Sequence, residues 1–575
     1  MMFGHLNRRS EKNIGTKFIP SRTRGQKRRN VMKKSILSSI LCGIFVILWI
    51  APAGAASSSK KPEDVSTFVE IGQGGFGDSA NSYSWSVYWF KGSLYVGTNR
   101  HHLHSMYEAL TYMPGAPVSP AMMPDYLIPD PPVPATWFVP DWAAAFQGEI
   151  WRYNQQQQWE RVHQSGVLGP IQLPPPYPSG AMGYAPVAYG YRAMAEFNGY
   201  LYACGIGTWM PPMNTNTILR SATGNPGTWE DVSGIIAGTT NIRAITTWNG
   251  KLYVAASVNG GAVVFATADP GTVGWTQVSL PGFGVADNSE IYYLAVFDNH
   301  LYASTINLVT GFEVWKTDGT ADASGQYAWT RVIRNGFGDT WNQYGMTMAV
   351  FGNHLYVGTA VGIGMVMKKN ATTGQDEVVG TRAFDIIRLD NADNAELIAG
   401  AEEASDPIEG GPNPRVPASG MGAGFNNPFN VYAWNMNVYN KCLYVGTFDM
   451  SIFVLGALEK DPSLLPWFLE IYAPGLPPEI VAAISSGLTP ENIQLMMEYY
   501  AGGDLWKSCD GVNWTSVTIN GFENRYNYGI REVIPVQSKG KDTGLAIGTA
   551  NPFTGKPNGG CEVWLGGKLP KYITE

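Results

Sequence analysis

The segment Leu355-Tyr-Val-Gly-Thr359 reads as a short apolar strand that ends in small residues, and versions of it recur along the chain. The seven copies begin at Leu94, Leu201, Leu252, Leu301, Leu355, Leu443 and Leu545. The intervals between these leucines are 107, 51, 49, 54, 88 and 102 residues. Three intervals match the roughly 50 residues of a four-stranded propeller blade, and three carry insertions. The repeat therefore predicts an all-β, seven-bladed β-propeller.

The neighbours of each copy assign the strand order within a blade. Upstream lies another strand and a tight turn, as in Trp248-Asn-Gly250, which is a hairpin signal. Downstream comes an acid-apolar-Trp-basic pattern, as in Glu313-Val-Trp-Lys316, and then a strand that opens on Trp, as in Trp329-Thr-Arg-Val332. We assign these as strands A, B, C and D. Residues that recur in every blade are predicted to be scaffold, and His300 and His354 in the A-to-B turns are placed with them.

The two ends of the chain complement each other. The last blade lacks a D strand after Trp564, whereas Phe68-Val-Glu-Ile71 is followed by Gly75-Phe-Gly-Asp78, which is how a D strand continues elsewhere. We therefore predict that the N-terminal strand closes the last blade of a propeller that spans residues 67–570. Closure removes exposed sheet edges that would otherwise favour aggregation.

One C-to-D turn resembles a known repeat motif. Ser508-Cys-Asp510-Gly511-Val-Asn-Trp514 is similar to the Asp-box of bacterial-neuraminidase (BNR) repeats, and Thr317-Asp-Gly319 is a looser version. The resemblance implies a sialidase-like β-propeller. In that family the Asp-box is a structural turn on the face away from the active site.

The first 55 residues have the pattern of a secretion signal. Lys33 and Lys34 precede an apolar run over 36–50, and Ala53-Gly-Ala55 offers the small residues that signal peptidase reads. We predict cleavage after Ala55, a linker over 56–66 and an extracytoplasmic location, which means secreted, periplasmic or at the cell surface. A retained N-terminal anchor is the alternative. Met32 is an alternative start, so 1–31 carry no functional weight, and 571–575 form a tail.

Charge and cysteine content restrict the partners. Residues 1–55 hold 11 of the 39 basic residues and one of the 46 acidic ones, so the remainder carries a formal charge of −17. Nucleic acid and anionic lipid surfaces are poor partners for such a chain. An oxidising compartment predicts one disulfide among Cys442, Cys509 and Cys561, which fall in the last two blades, but with Cys204 three pairings stay open.

A non-repeating position on strand A is the main candidate site. It lies four residues after an Asn that recurs in the D-to-A connections, or nine before the strand B leucine. In blade order from the last blade, the position holds Arg531, Trp85, Arg192, Arg243, Tyr292, Met346 and Trp434. Strand A is innermost in a propeller, so we predict a ring at the central mouth with all of these except Met346 as ligand-binding residues. Arginine suits carboxylate recognition. The alternative is that the arginines pair with nearby acids such as Glu196 or Glu532.

The predicted insertions share one face, because B-to-C and D-to-A loops emerge on the same side of a propeller. They cover 106–147, 163–190, 360–382, 397–426 and 456–501. The last of them contains helix signals at Pro478-Glu479 and Thr489-Pro-Glu491, which predict a small helical insertion in blade six. A rim of Pro, Met and aromatic residues indicates a lidded ligand site. Alternatively, these loops pack on each other or on a partner in a surface assembly.

A histidine cluster follows strand B of blade one. His101, His102 and His104 lie close to Tyr107 and Glu108. Imidazole and carboxylate groups at this spacing permit a divalent metal site. The alternative is an exposed polar loop.

These observations give one main function and two alternatives. The main hypothesis is an exported β-propeller that binds an anionic small molecule or a glycan at the insertion-bearing face. The first alternative is a glycan-active hydrolase or lyase of sialidase-like type, with Tyr292, Glu290, Glu532 and Asp78 as candidate catalytic groups. The second is a metal-dependent site at His101–His104. Whether the chain is catalytic is left open by the sequence.

Overall fold

The structure is a computed structural model of the chain, and its described residues lie in one compact unit, Ser57–Glu575. They are 67–102, 140–172, 179–207, 216–234, 239, 241–258, 260–369, 374, 376–472, 476–538, 541–554 and 556–567. The predicted signal region, linker and tail, together with His104, Tyr107 and Glu108, lie outside them. Among the described residues, no helix is both long enough and apolar enough to cross a bilayer.

The architecture is all-β and of the propeller type, built from four-stranded antiparallel repeats in which each strand pairs with the next. Strands are numbered in chain order. In the described part of the chain, repeat one consists of β2 (Asn81–Phe90), β3 (Ser93–Arg100), β4 (Glu149–Tyr153) and β5 (Trp159–Gln164), and repeat two of β8 (Gly190–Phe197), β9 (Tyr200–Ile206), β10 (Thr217–Ser221) and β11 (Glu230–Asp231). Repeat three consists of β12 (Asn241–Trp248), β13 (Lys251–Val258), β14 (Gly261–Thr267) and β15 (Thr276–Gln277), and repeat four of β16 (Glu290–Phe297), β17 (His300–Ile306), β18 (Val314–Thr317) and β19 (Thr330–Ile333). Repeat five consists of β20 (Tyr344–Phe351), β21 (His354–Ala360), β24 (Ile386–Leu389) and β25 (Ala395–Ala399), repeat six of β26 (Asn430–Tyr439), β27 (Cys442–Asp449), β28 (Leu505–Ser508) and β29 (Thr515–Thr518), and repeat seven of β30 (Gly529–Ser538), β31 (Lys541–Ala550), β32 (Val563–Gly567) and β1 (Phe68–Gly72).

The fourth strand of repeat seven comes from the other end of the chain. β1 pairs antiparallel with β32, and Phe68 lies opposite Gly566. Phe68 also contacts Phe522, with 5.5 Å between the ring centroids. The N-terminal strand therefore completes the repeat that the C-terminal strands begin.

The remaining elements are insertions between strands. Two hairpins and five helices occupy the described parts of the long connections: β6 (Val167–Gln172) with β7 (Met182–Pro186), β22 (Val366–Lys369) with β23 (Asp376–Gly380), α1 (Pro140–Ala145), α2 (Ser451–Lys460), α3 (Leu465–Tyr472), α4 (Pro478–Gly487) and α5 (Pro490–Tyr500). The Thr489 hydroxyl caps α5 by accepting a hydrogen bond from the Asn492 amide at 3.3 Å.

The hydrophobic core lies between successive repeats. Leu201 and Leu219 of repeat two pack in one cluster with Phe90 and Tyr95 of repeat one. The same arrangement continues from repeat to repeat, up to a cluster that joins repeat seven to repeat one. Buried apolar area of this kind is the main stabilising contribution to the fold.

In five of the repeats, a buried asparagine side chain forms hydrogen bonds with a glycine carbonyl, a carboxylate at the third strand and a threonine of the second strand. We call this arrangement the asparagine lock. In repeat four, Asn288 donates to the Gly282 carbonyl at 3.0 Å and to Glu313 Oε2 at 2.7 Å, while its Oδ1 accepts from the Thr305 hydroxyl at 3.3 Å. Trp315 Nε1 also donates to Glu313, at 2.9 Å. The corresponding asparagine, carboxylate and threonine are Asn81, Glu149 and Thr98; Asn342, Asp385 and Thr359; Asn430, Asp504 and Thr447; and Asn527, Glu562 and Thr549. The recurring strand C acids are thus buried hydrogen-bond acceptors.

The strand D tryptophans connect neighbouring repeats. Trp329 Nε1 donates to the Val278 carbonyl of the preceding repeat at 3.1 Å. Trp159 of repeat one donates in the same way to Ile71 of β1, at 2.5 Å. The indole nitrogens of Trp229 and Trp514, in contrast, are buried and have no hydrogen-bond partner among the described residues.

The C-to-D turn of repeat six is closed by side-chain hydrogen bonds and a disulfide. Asp510 Oδ1 accepts from the amides of Val512 and Asn513 at 2.9 and 2.7 Å, and Ser508 Oγ accepts from the Gly511 amide at 2.8 Å. A disulfide joins Cys442 to Cys509, while Cys204 and Cys561 are buried free thiols. This selects one of the pairings that the sequence left open.

Three predicted insertions overlap strands of the structure at their ends. The insertion predicted over 397–426 begins inside β25 (Ala395–Ala399), because the fourth strand of repeat five lacks the aromatic residue that marks strand D elsewhere. The insertion predicted over 163–190 likewise overlaps the end of β5 and the start of β8. The insertion predicted over 360–382 includes Ala360, the last residue of β21.

We expect Asn288→Ala to lower the free energy of unfolding by about 3 kcal/mol, because it leaves a buried carboxylate and a buried carbonyl with one donor fewer each. Equilibrium denaturation with guanidinium chloride measures this. Asn391→Ala, at an exposed asparagine, is the matched control and should change stability by less than about 0.5 kcal/mol. Equal losses in the free energy of unfolding in the two variants would contradict a stabilising role of the asparagine lock.

Candidate functional site

The predicted ring position coincides with a β-bulge in every repeat. In each pairing of the first strand with the second, the register shifts at the ring position, and the pairings of repeats one, six and seven contain one further shift each. The residues at the ring position are Trp85, Arg192, Arg243, Tyr292, Met346, Trp434 and Arg531. A bulge leaves its residue out of the ladder and re-aims the side chain. We call these seven the ring residues.

Arg192 brings ring residues of separate repeats together. Its guanidinium lies 5.2 Å from the ring centroid of Trp85 in repeat one and 5.1 Å from that of Tyr292 in repeat four. It also donates to the Tyr292 hydroxyl at 2.6 Å. Repeats two and four are not consecutive in the chain, so ring residues of separate repeats converge at Arg192. Within the described residues, no carboxylate forms an ion pair with Arg192, and Glu196 is exposed.

The other two arginines have carboxylate partners. Arg243 forms an ion pair with Glu290, and Arg531 pairs with Glu532 at 2.7 Å. The alternative that the arginines are paired structurally thus holds for two of the three. Each also lies over an aromatic ring, Arg243 at 4.7 Å from Tyr292 and Arg531 at 5.5 Å from Trp434.

Electrostatic effects follow from this convergence. Burial and the nearby Arg192 lower the pKa of Arg243 to about 10. Burial by itself raises the pKa of Tyr292, but the guanidinium groups of Arg192, Arg243 and Arg531 outweigh it and lower that pKa below its usual value. A phenol that faces three cations is therefore easier to ionise than an isolated tyrosine.

Glu532 is the carboxyl group with the opposite shift. It is 7% exposed, and burial raises its pKa to about 8, although Arg531 and Arg192 favour its charged form. The Asn435 amide donates to its Oε2 at 3.2 Å. This carboxyl group therefore exchanges its proton near neutral pH.

Further aromatic residues surround the ring, and sequence counting missed them. Tyr189 lies 5.2 Å from Trp85, Tyr344 lies 6.0 Å from Tyr292, and Tyr528 stacks on Trp434 at 6.0 Å. All three precede a ring residue by two or three positions. An aromatic residue at the start of strand A was the signal that could have identified them.

The helical insertion reaches this aromatic group. Phe453 of α2 lies 5.2 Å from Tyr528. Met346, in contrast, is 1% exposed and contributes an apolar side to the ring. The predicted lid stays a prediction, and the described contact that bears on it is that of α2 with Tyr528.

The remaining candidate residues lie in other surroundings. Asp78 is half exposed and pairs with Arg100 at 2.7 Å, outside the ring. His102 packs on Tyr83 at 4.2 Å, and burial together with Arg192 and Arg531 lowers its pKa to about 3. His101 contacts Phe146 at 5.1 Å. In the described part of the chain, no group of three or more His, Cys, Asp or Glu side chains converges to hold a metal, and the predicted His101–His104 site stays a prediction.

The chain matches no protein-family model and no curated protein. Solved structures with partial likeness include an α-L-arabinanase of Penicillium chrysogenum complexed with arabinobiose, with 10% identity and a TM-score of 0.30 over 65% of this chain and 91% of that one. Others are a GH43 β-xylosidase/α-arabinofuranosidase from a compost microbial metagenome (10% identity, TM-score 0.26, 57% and 96% covered) and a luciferin-regenerating enzyme (8% identity, TM-score 0.31, 64% and 87% covered). Scores of this size carry no argument about function, which has to be argued from the chain's own side chains.

Proposed function

We propose that the repeats are the blades of one closed seven-bladed propeller and that its ring residues bind an anionic, carbohydrate-like ligand. The pairing of β1 with β32 and the core clusters between successive repeats support the closed ring. The observation that carries the binding function is Arg192, a guanidinium held between two aromatic rings and without a carboxylate partner in the described chain.

The chemistry of this group suits a sugar that carries a carboxylate. A guanidinium offers two parallel N–H donors to a carboxylate, and a flat aromatic face accepts the apolar side of a pyranose ring. Trp85 and Tyr292 supply such faces on either side of Arg192. Polar donors beside an aromatic wall are typical of small-molecule sites.

The charge balance at the ring points to an anion. Three guanidinium groups face two carboxyl groups, Glu290 and Glu532. Protonation of Glu532 below its pKa of about 8 adds to the positive excess. With both carboxyl groups ionised, the excess is the single charge of Arg192, which a monoanionic ligand compensates.

We expect Arg192→Gln to weaken the binding of a uronate such as glucuronate by about 10-fold to 100-fold, since a charged hydrogen bond is worth about 1.5–3 kcal/mol. Isothermal titration of the full chain measures the dissociation constant, with glucose as the neutral probe. Arg220→Gln, at an arginine paired with Glu230 on the outer strands of repeat two, is the matched control. Uronate affinity that is the same in both variants and in the wild type would contradict the proposal.

We expect uronate affinity to fall about fivefold between pH 6 and pH 9. Glu532 loses its proton in this range because burial raises its pKa to about 8, and the new negative charge repels the ligand. The same titration at several pH values measures the slope. Glu532→Gln should bind with little pH dependence, and an equal slope in this variant would show that another group is responsible.

A glycan-active hydrolase at the same ring is the second candidate function. It is favoured by two opposite pKa shifts at the ring: burial raises the pKa of Glu532 to about 8, and the nearby guanidinium groups lower the pKa of Tyr292 below its usual value. A protonated carboxyl can serve as general acid, and an activated tyrosine can serve as nucleophile in glycoside hydrolysis. Glu290, paired with Arg243, is the second carboxylate at the ring.

If the chain is a hydrolase, we expect Tyr292→Phe to lower kcat at least 100-fold on aryl glycosides of sugar acids, because the nucleophile is lost. Release of the aryl group is the measurement, and Tyr200→Phe, at a tyrosine on the outer side of repeat two, is the control. Wild-type protein that binds these glycosides without releasing the aryl group would leave binding alone as the function.

A further inference from the structure

Repeats one and five each hold a guanidinium group beside the carboxylate of the asparagine lock. In repeat one, Arg100 lies 2.7 Å from Asp78 and 3.5 Å from Glu149. In repeat five, Arg382 lies 2.5 Å from Asp339 and 2.6 Å from Asp385. Arg100 and Arg382 stand at different sequence positions within their repeats. What the two repeats share is the place that the guanidinium group occupies. A cation sits between the D-to-A connection and the third strand in both repeats.

Repeat six has a second carboxyl group at this location. Its third-strand acid is Asp504, and Asp449 occupies the second-strand position that Arg100 has in repeat one. Asp449 and Asp504 are 0% and 1% exposed. The Asn427 amide donates to Asp449 Oδ2 at 2.8 Å. Among the described residues, no Lys, Arg or His neutralises either carboxyl group.

Asp504 also lacks a hydrogen-bond partner that its counterparts have. In repeats one, four and seven, the second oxygen of the lock carboxylate accepts from Arg161, Arg331 and Asn524, at 2.7, 2.6 and 2.5 Å. Asp504 Oδ1 is buried, and no described group donates to it. An unpartnered carboxylate oxygen in the interior costs free energy unless something else compensates it.

We propose that Asp449 and Asp504 bind one divalent cation of the calcium type in repeat six. The two carboxyl groups supply oxygen ligands, which hard cations prefer, and Asp504 Oδ1 is the one of these oxygens that accepts no hydrogen bond from a described group. The two positive charges of a divalent ion balance the two negative charges of the carboxylates. Burial and the charge of Asp504 raise the pKa of Asp449, and burial raises that of Asp504, so a proton competes with the cation for the pair.

The location gives the cation a structural task. Asp449 ends β27, and its Oδ1 accepts from the Ser451 amide at 2.8 Å at the start of α2. Asp504 directly precedes β28, which follows α5. The cation would therefore join the two ends of the helical insertion, whose Phe453 packs on Tyr528 beside the ring. This inference does not require a ligand at the ring residues.

The test uses the full chain treated with chelator and then supplied with calcium chloride, magnesium chloride or sodium chloride. We expect calcium at about 100 times its dissociation constant to raise Tm by roughly 2–3 °C. Equilibrium dialysis should find one calcium ion per chain. Terbium should luminesce on excitation of tryptophan, because Trp506 Nε1 lies 3.2 Å from Asp504 Oδ2.

The decisive variant is Asp449→Asn. Repeats four and seven already carry asparagine at this position, where Asn307 and Asn551 donate to the lock asparagines at 3.0 and 3.1 Å, so the variant should fold. Its Tm should not respond to calcium, whereas Asp318→Asn, at an exposed acid in repeat four, should respond like the wild type. No calcium shift in the wild type would indicate a shared proton and overturn the proposal, as would an undiminished shift in Asp449→Asn.

Discussion

A buried asparagine amide that joins a glycine loop, a third-strand carboxylate and a second-strand threonine supports each of five repeats. Each partner is sequestered from water, so every donor and acceptor has to be matched inside the protein. This explains why the strand C acids recur with a tryptophan two residues later. The tryptophan supplies a further donor to the same carboxylate, as Trp315 does for Glu313. The recurring charges in this chain are therefore part of the interior.

The asparagine lock also fixes the position of the ring residues. The asparagine stands four residues before the bulged residue, so the start of the first strand is fixed where the bulge has to aim a side chain inward. Arg192 and Arg243 occur in repeats two and three, where the described residues contain no such asparagine–carboxylate pair. Arg192 lies over Trp85 of repeat one, and Arg243 lies over Tyr292 of repeat four.

The sequence predicted the features that depend on local pattern. These features are the seven strands that begin with leucine, the hairpin turns, the N-terminal strand and the ring position. Each of them is a short motif whose spacing is set within one repeat. Features that depend on contacts between distant segments could not be derived. The pairing of Arg243 with Glu290 crosses from one repeat to the next, and β25 has no residue type that marks it. The acidic pair in repeat six joins residues 55 positions apart across a helical insertion, which no local pattern indicates.

The most direct test of the account is a crystal structure of the full chain with a bound uronate. The account predicts the ligand carboxylate within hydrogen-bond distance of the Arg192 guanidinium, with the sugar ring against Trp85 or Tyr292. A uronate bound only on an outer strand surface, with Arg192 still donating to the Tyr292 hydroxyl alone, would contradict it.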